Sequence, residues 1–210
     1  MKADFWANLQ NFHATDVFNP WNYQDPLDIS ADGARDRRGR LEQHFDRDAK
    51  YLLIGEAPGY RGCHFSGIPF TCEKQLYDGI VSGLPAHARF TKRDLPWSEG
   101  SATVIWSTLH ELGIAETTVM WNAYPWHPHL PENPLSNRTP TPREVLDGAS
   151  ILAMVLEQFH SAAVIAVGQI ALRTLESLGV GATPVRHPSM GGARQFKEQL
   201  RELVAPRVAA

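Results

Sequence analysis

The chain has 210 residues, 43% of them hydrophobic and 20% charged, which fits one compact globular domain with a sizeable core and excludes a disordered or fibrous chain. No apolar run reaches the roughly 18 residues that span a bilayer, and Met1-Lys2-Ala3-Asp4-Phe5 lacks the basic start and long apolar stretch of a signal peptide, so a cytoplasmic protein without membrane association is expected. The formal net charge of −3 speaks against a highly processive, non-specific nucleic-acid binder but leaves room for a local basic face, and Cys63 and Cys72 are too few for a disulfide framework or a four-thiolate metal site.

Residues 1–48 read as a helical lead-in, with helices over 4–12 and 32–45 joined by the turn-rich Phe18-Asn19-Pro20-Trp21-Asn22. Tyr51-Leu52-Leu53-Ile54 is a short apolar run ending in glycine, the pattern of a buried parallel strand. Helical patterns follow over 72–83 and 101–112, then a second strand, Thr118-Val119-Met120-Trp121. From Pro125 to Pro142 runs a long ordered loop carrying Trp126, His127, His129, Asn137 and Arg138. Loops of that length in a small domain are usually functional. A helix over 142–159, a strand at Ala163-Val164-Ile165-Ala166-Val167, a helix over 169–178, a strand at Thr183-Pro184-Val185-Arg186 and a helix over 192–204 complete the chain. Strands alternating with helices predict an α/β fold. It is a single three-layer domain over 49–210, a central four-stranded parallel sheet flanked by helices, with residues 1–48 as a helical N-terminal extension packed on it.

Open parallel sheets bind ligands beyond the carboxyl ends of their strands. The first strand ends in Gly55-Glu56-Ala57-Pro58-Gly59, the second in Asn122-Ala123-Tyr124-Pro125-Trp126-His127 and the fourth in His187-Pro188-Ser189. Glu56, Asn122 and His187 should therefore meet at one rim. The third strand ends in Gly168-Gln169, which reads equally as a phosphate-type turn and as close strand–helix packing.

These segments, with Gly67-Ile68-Pro69-Phe70 after the first, resemble the uracil-DNA glycosylase superfamily over about 51–203, and look most like its bacterial and archaeal family-4 enzymes. Those enzymes carry four cysteines that hold an iron–sulfur cluster, whereas this chain has two, so no cluster and no other cofactor is expected. The resemblance implies a DNA partner, a flipped-out nucleotide and a pair of catalytic residues, Glu56 and His187. Glu56 would orient and deprotonate water on the sugar side. The plainer reading is a helix-capping carboxylate. His187 would donate to the base O2 as negative charge moves onto the departing base, against the reading of a strand-end histidine bonded to backbone. Asn122 would hold the Watson–Crick edge with Phe70 stacked on the base and Gly55 and Gly59 lining the pocket; a turn asparagine and a core phenylalanine are the alternatives. Ser189, Met190 and Gly191 would meet DNA in the minor groove, and Arg138, Asn137 and His127 would touch its backbone. His127-Pro128-His129 has no third ligand at diagnostic spacing for a metal.

In the best-known uracil-specific relatives a tyrosine stands where this chain has Gly59 and blocks a 5-methyl group. With Gly59 that wall is absent, and the side is open to 5-substituted pyrimidines. The expected activity is a monofunctional glycosylase acting on uracil in DNA repair, working as a monomer. One alternative excises a 5-substituted, hypermodified pyrimidine from phage DNA as antiviral defence. The others are a non-catalytic nucleic-acid-binding module and a hydrolase of free nucleosides.

Overall fold

The computed structural model describes residues 1–81 and 83–205. In chain order its elements are α1 (Ala3–Gln10), β1 (Val17–Phe18), α2 (Gly33–Phe45), β2 (Tyr51–Gly55), α3 (Cys63–Ser66), α4 (Glu73–Tyr77), α5 (Gly100–Glu111), a 3-10 turn (Ala115–Thr117), β3 (Thr118–Asn122), β4 (His127–Pro128), α6 (Pro142–Gln158), β5 (Ala163–Val167), α7 (Gln169–Ser177), β6 (Thr183–Val185) and α8 (Ala193–Val204). Four strands form one parallel sheet in the order β3-β2-β5-β6. This is the expected α/β architecture.

The sheet is buried on both faces, which is why its strands read as continuous apolar runs. Successive side chains alternate between two cores. Leu52, Ile54, Val119 and Trp121 pack on one face with Leu9, Phe45, Leu152 and Leu175 from α1, α2, α6 and α7. Leu53, Met120, Ile165 and Val167 pack on the other with Trp106, Leu109, Phe196 and Leu200 from α5 and α8. Each fully buried side chain of this size contributes about 1.5–3 kcal/mol. Pro184 is tolerated because β6 is an edge strand, where a missing N–H leaves no ladder bond unmade. Among the described residues no helix is long and apolar enough to cross a membrane.

Two local expectations change. The helix expected over 72–83, of which residue 82 lies outside the described residues, ends at Tyr77. Gly79 and Gly83 take φ of +71° and +80°, left-handed backbone that stops a helix. The long loop is also not free of regular structure. Its β4 pairs antiparallel with β1, Val17 opposite Pro128 and Phe18 opposite His127. Two-residue strands are too short to show a period, so the pattern leaves no trace of them. Through this ladder, and through Phe5, Trp6, Leu9 and Trp21 in the same core as Leu52 and Trp121, residues before 48 join the first face of the sheet.

Candidate active site

The strand order reverses at β2, and there the carboxyl ends of β2 and β3 lie side by side, with Gly55 in register with Asn122. The pairing runs on past the strands: the Ala123 amide donates to the Gly55 carbonyl at 2.8 Å and the Tyr124 amide to the Glu56 carbonyl at 2.9 Å. The backbone of Glu56 is thus held to the end of β3 by the ladder.

Gly55 is demanded by packing. A β-carbon there would lie 2.2 Å from Phe70 Cζ and 2.7 Å from Asn122 Oδ1. The Gly55 backbone, the Phe70 ring and the Asn122 amide therefore share one small space. Asn122 is only 2% exposed, yet its amide makes no hydrogen bond to another described residue. Buried amides are nearly always paired, so an unpaired one at the carboxyl end of a strand is suited to a ligand.

His187 stands across from Phe70, their ring centroids 6.3 Å apart. The Ser189 amide donates to His187 Nδ1 at 3.2 Å, and the Ser189 hydroxyl lies 2.7 Å from the same atom. An amide N–H can only donate, so Nδ1 accepts and the neutral ring carries its proton on Nε2. Burial, and then the charge of Arg186, lowers the His187 pKa and keeps the ring neutral. The Gly168 turn is explained by its backbone: φ is +91°, a conformation that side chains other than glycine's rarely adopt, while a β-carbon would meet His187 Cβ only at an ordinary 3.4 Å.

Glu56 is half-buried, and burial raises its carboxyl above the ordinary range while a hydrogen bond from Thr139 opposes the rise. Thr139 comes from the long loop, as does Asn137, whose Oδ1 accepts from the Tyr60 amide at 2.9 Å. A β-carbon on Gly59 would sit 3.3 Å from Asn137 Nδ2. The side of Gly59 that looked open in the sequence is thus flanked by a polar amide. An open groove of about 540 Å³ begins there, lined by Tyr60, Arg61, Glu99, Ser101, Asn137 and Ser189. Burial pushes the Glu99 carboxyl up to about 7, against the opposing charge of Arg61.

Two expected DNA contacts are placed otherwise. His127 is 0% exposed, its Nε2–H donates to the Ser136 carbonyl at 2.8 Å, and its Nδ1 lies 2.8 Å from His64 Nδ1. His64 in turn reaches Asp25 at 2.9 Å. Burial drops the His127 pKa to about 3, so this neutral ring anchors the loop and reaches no phosphate. Arg138 spends its guanidinium on Glu144, at 2.6 and 2.7 Å, and on the His129 carbonyl at 2.9 Å. The fork ties the loop to the start of α6. Ser189 is exposed, but its hydroxyl has His187 as partner. Met190 projects, 91% exposed at φ +51°, beside Gly191 at φ +76°. Among the described residues no group of three or more His, Cys, Asp or Glu is placed to hold a metal ion. The sequence gives Thr139 no role, and gives Asn137 that of a DNA-backbone contact rather than a partner of Tyr60. Their one signal was a place in an unusually long loop.

A family model described as "Uracil DNA glycosylase superfamily" matches residues 42–206. Among solved structures the chain is similar to the crystal structure of wild-type SMUG2 from Pedobacter heparinus, with 13% identity, a TM-score of 0.60, and 95% of this chain and 96% of that chain covered. A likeness at that identity shows the fold alone. No curated protein matches the chain.

Proposed function

Because the chain belongs to the uracil DNA glycosylase superfamily, we propose that it is a monofunctional DNA glycosylase that hydrolyses the N-glycosidic bond of a flipped-out pyrimidine, uracil first, in base-excision repair. The observation that carries the reading is the shared space of Phe70, Asn122 and Gly55, with the neutral His187 opposite. Such groups suit a planar base: Phe70 would offer a stacking face, and the Asn122 amide would pair with N3–H and O4. The His187 Nε2–H donates to O2.

In the reaction the C1′–N1 bond breaks and its electron pair goes to the base. Positive charge grows on the sugar, and water adds its oxygen to C1′ while giving a proton to Glu56. The Nε2–H of His187 stabilises the base anion, an interaction that strengthens only as the bond breaks. No lysine lies in the segments around Glu56, Asn122 or His187, so nothing there supports a Schiff-base lyase step. An iron–sulfur cluster does not fit the residues present. The only cysteines, Cys63 and Cys72, are buried and unbridged, and burial pushes both thiols up, away from the thiolate that iron binds. No step runs through a cluster.

The test is release of uracil from single- and double-stranded oligonucleotides, read as strand scission after alkali. No scission with enzyme in excess would end the uracil reading. A second reading keeps the chemistry and changes the base to a 5-substituted pyrimidine. It is favoured by the open groove lined by Tyr60 and Asn137, the amide that flanks Gly59. Mass spectrometry of bases released from modified DNAs separates the two.

The bond from Thr139 favours the Glu56 anion. Removing it in Thr139→Val raises the Glu56 pKa further. The anion, and with it the rate, is then lost at a higher pH as the solution is acidified. The acid limb of the kcat/KM–pH profile should move toward neutrality with the plateau little changed, and an unmoved limb would show that Thr139 does not tune Glu56.

A further inference from the structure

We propose that Arg40 and Trp21, both N-terminal to the span that matches the family, are positioning residues that hold Phe70 in its place over Gly55 and Asn122. The proposal rests on the reading of Phe70 as the base-stacking face.

The turn that carries Phe70 has no regular ladder, and side chains take up its carbonyls one after another. Arg40 donates from Nη2 to the Phe65 carbonyl at 3.0 Å and from Nε to the Ser66 carbonyl at 2.7 Å. Trp21 Nε1–H donates to the next carbonyl, Gly67, at 3.2 Å. The Ser66 hydroxyl accepts the Ile68 amide at 3.1 Å and reaches the Thr71 carbonyl at 2.7 Å. The Thr71 hydroxyl donates to the Pro69 carbonyl at 3.1 Å and accepts from Trp106 Nε1 at 3.0 Å. Gly67, at φ +77°, is pressed onto α2, where a β-carbon would lie 2.6 Å from the Arg37 carbonyl oxygen.

Phe70 itself sits at φ +53°. A non-glycine residue holds left-handed backbone only where its surroundings over-determine it. The carbonyl clamp is that surrounding, and half of it comes from the N-terminal segment. Arg40 is buried, with its guanidinium 4.1 Å over the Phe90 ring. Burial and the neighbouring Arg37 lower it to about 10, which leaves it cationic at neutral pH.

The experiment is a double-mutant cycle of Arg40→Met with Phe70→Ala, read as the single-turnover rate on uracil-containing DNA. A stacked base is worth roughly 5- to 150-fold in rate, the equivalent of 1–3 kcal/mol. Arg40→Met should lose a measurable part of that factor in the parent and nothing more in Phe70→Ala, and Arg40→Lys, which keeps one donor, should restore part of it. Equal losses in both backgrounds would make Arg40 a general structural residue and overturn the proposal. Where Arg40→Met does not fold, Trp21→Phe takes its place, since it removes the N–H that reaches Gly67 and keeps an aromatic ring beside Trp121. The second readout is the fluorine NMR resonance of 4-fluorophenylalanine at position 70, single in the parent and split or broadened in the variant. It needs no activity: an unchanged resonance overturns the proposal. Split resonances in a protein that releases no base would support the positioning role and count against the glycosylase reading alone.

Discussion

Glu56→Gln should slow base release by roughly 10²- to 10⁴-fold, the range for loss of a positioned acid–base group, while DNA affinity stays within a few-fold. Glutamine keeps the shape of the side chain and a partner for Thr139. It removes the charge that takes the proton from water and offsets the cationic sugar. The loss therefore falls on the chemical step and is read in single-turnover kinetics beside a binding isotherm. The pH dependence has a defined sign. Burial raises the Glu56 pKa, so the parent loses its anion as pH falls through that raised value. The gap between parent and variant should close on the acid side and open toward neutrality. A variant that changes DNA binding with no base release to lose would favour the non-catalytic module instead.

His187→Ala should cost about 10²- to 10³-fold, the usual toll for removing one preorganised donor from a developing anion. The Ser189 amide forces Nδ1 to accept, so the donor is Nε2–H on a neutral ring. Burial and the charge of Arg186 lower its pKa from the ordinary histidine value of 6.5, which favours that neutral ring. The leaving group gives the sharper check. 5-Fluorouracil forms a more stable anion than uracil and needs the donor less, so its excision should suffer less from the substitution. Equal losses on both bases would assign His187 a structural role.

The ends of the strands were legible before any coordinates. Short apolar runs placed β2, β3, β5 and β6, and strand topology then brought Gly55, Glu56, Asn122 and His187 to one edge of the sheet. His127 and Arg138 show the limit of the same reasoning. Both stood in a polar loop and read as DNA contacts, yet one is a buried neutral ring and the other a fork closed on Glu144. Whether a polar side chain faces solvent or a partner depends on what the rest of the chain brings beside it. Here the unseen partners were His64, the Ser136 carbonyl and the start of α6.

The sheet, its helical layers and the residue types at the rim are legible in the amino-acid order, because continuous apolar runs and helical spacing record the burial of each element's own side chains. What tunes and braces that rim comes from contacts made only in the folded chain. Asn137 meets Tyr60 across 77 residues and Arg40 meets Ser66 across 26. Such bonds carry no periodicity. They exist because the long loop and the N-terminal segment fold back over the sheet edge, and nothing local in either segment records where it will land.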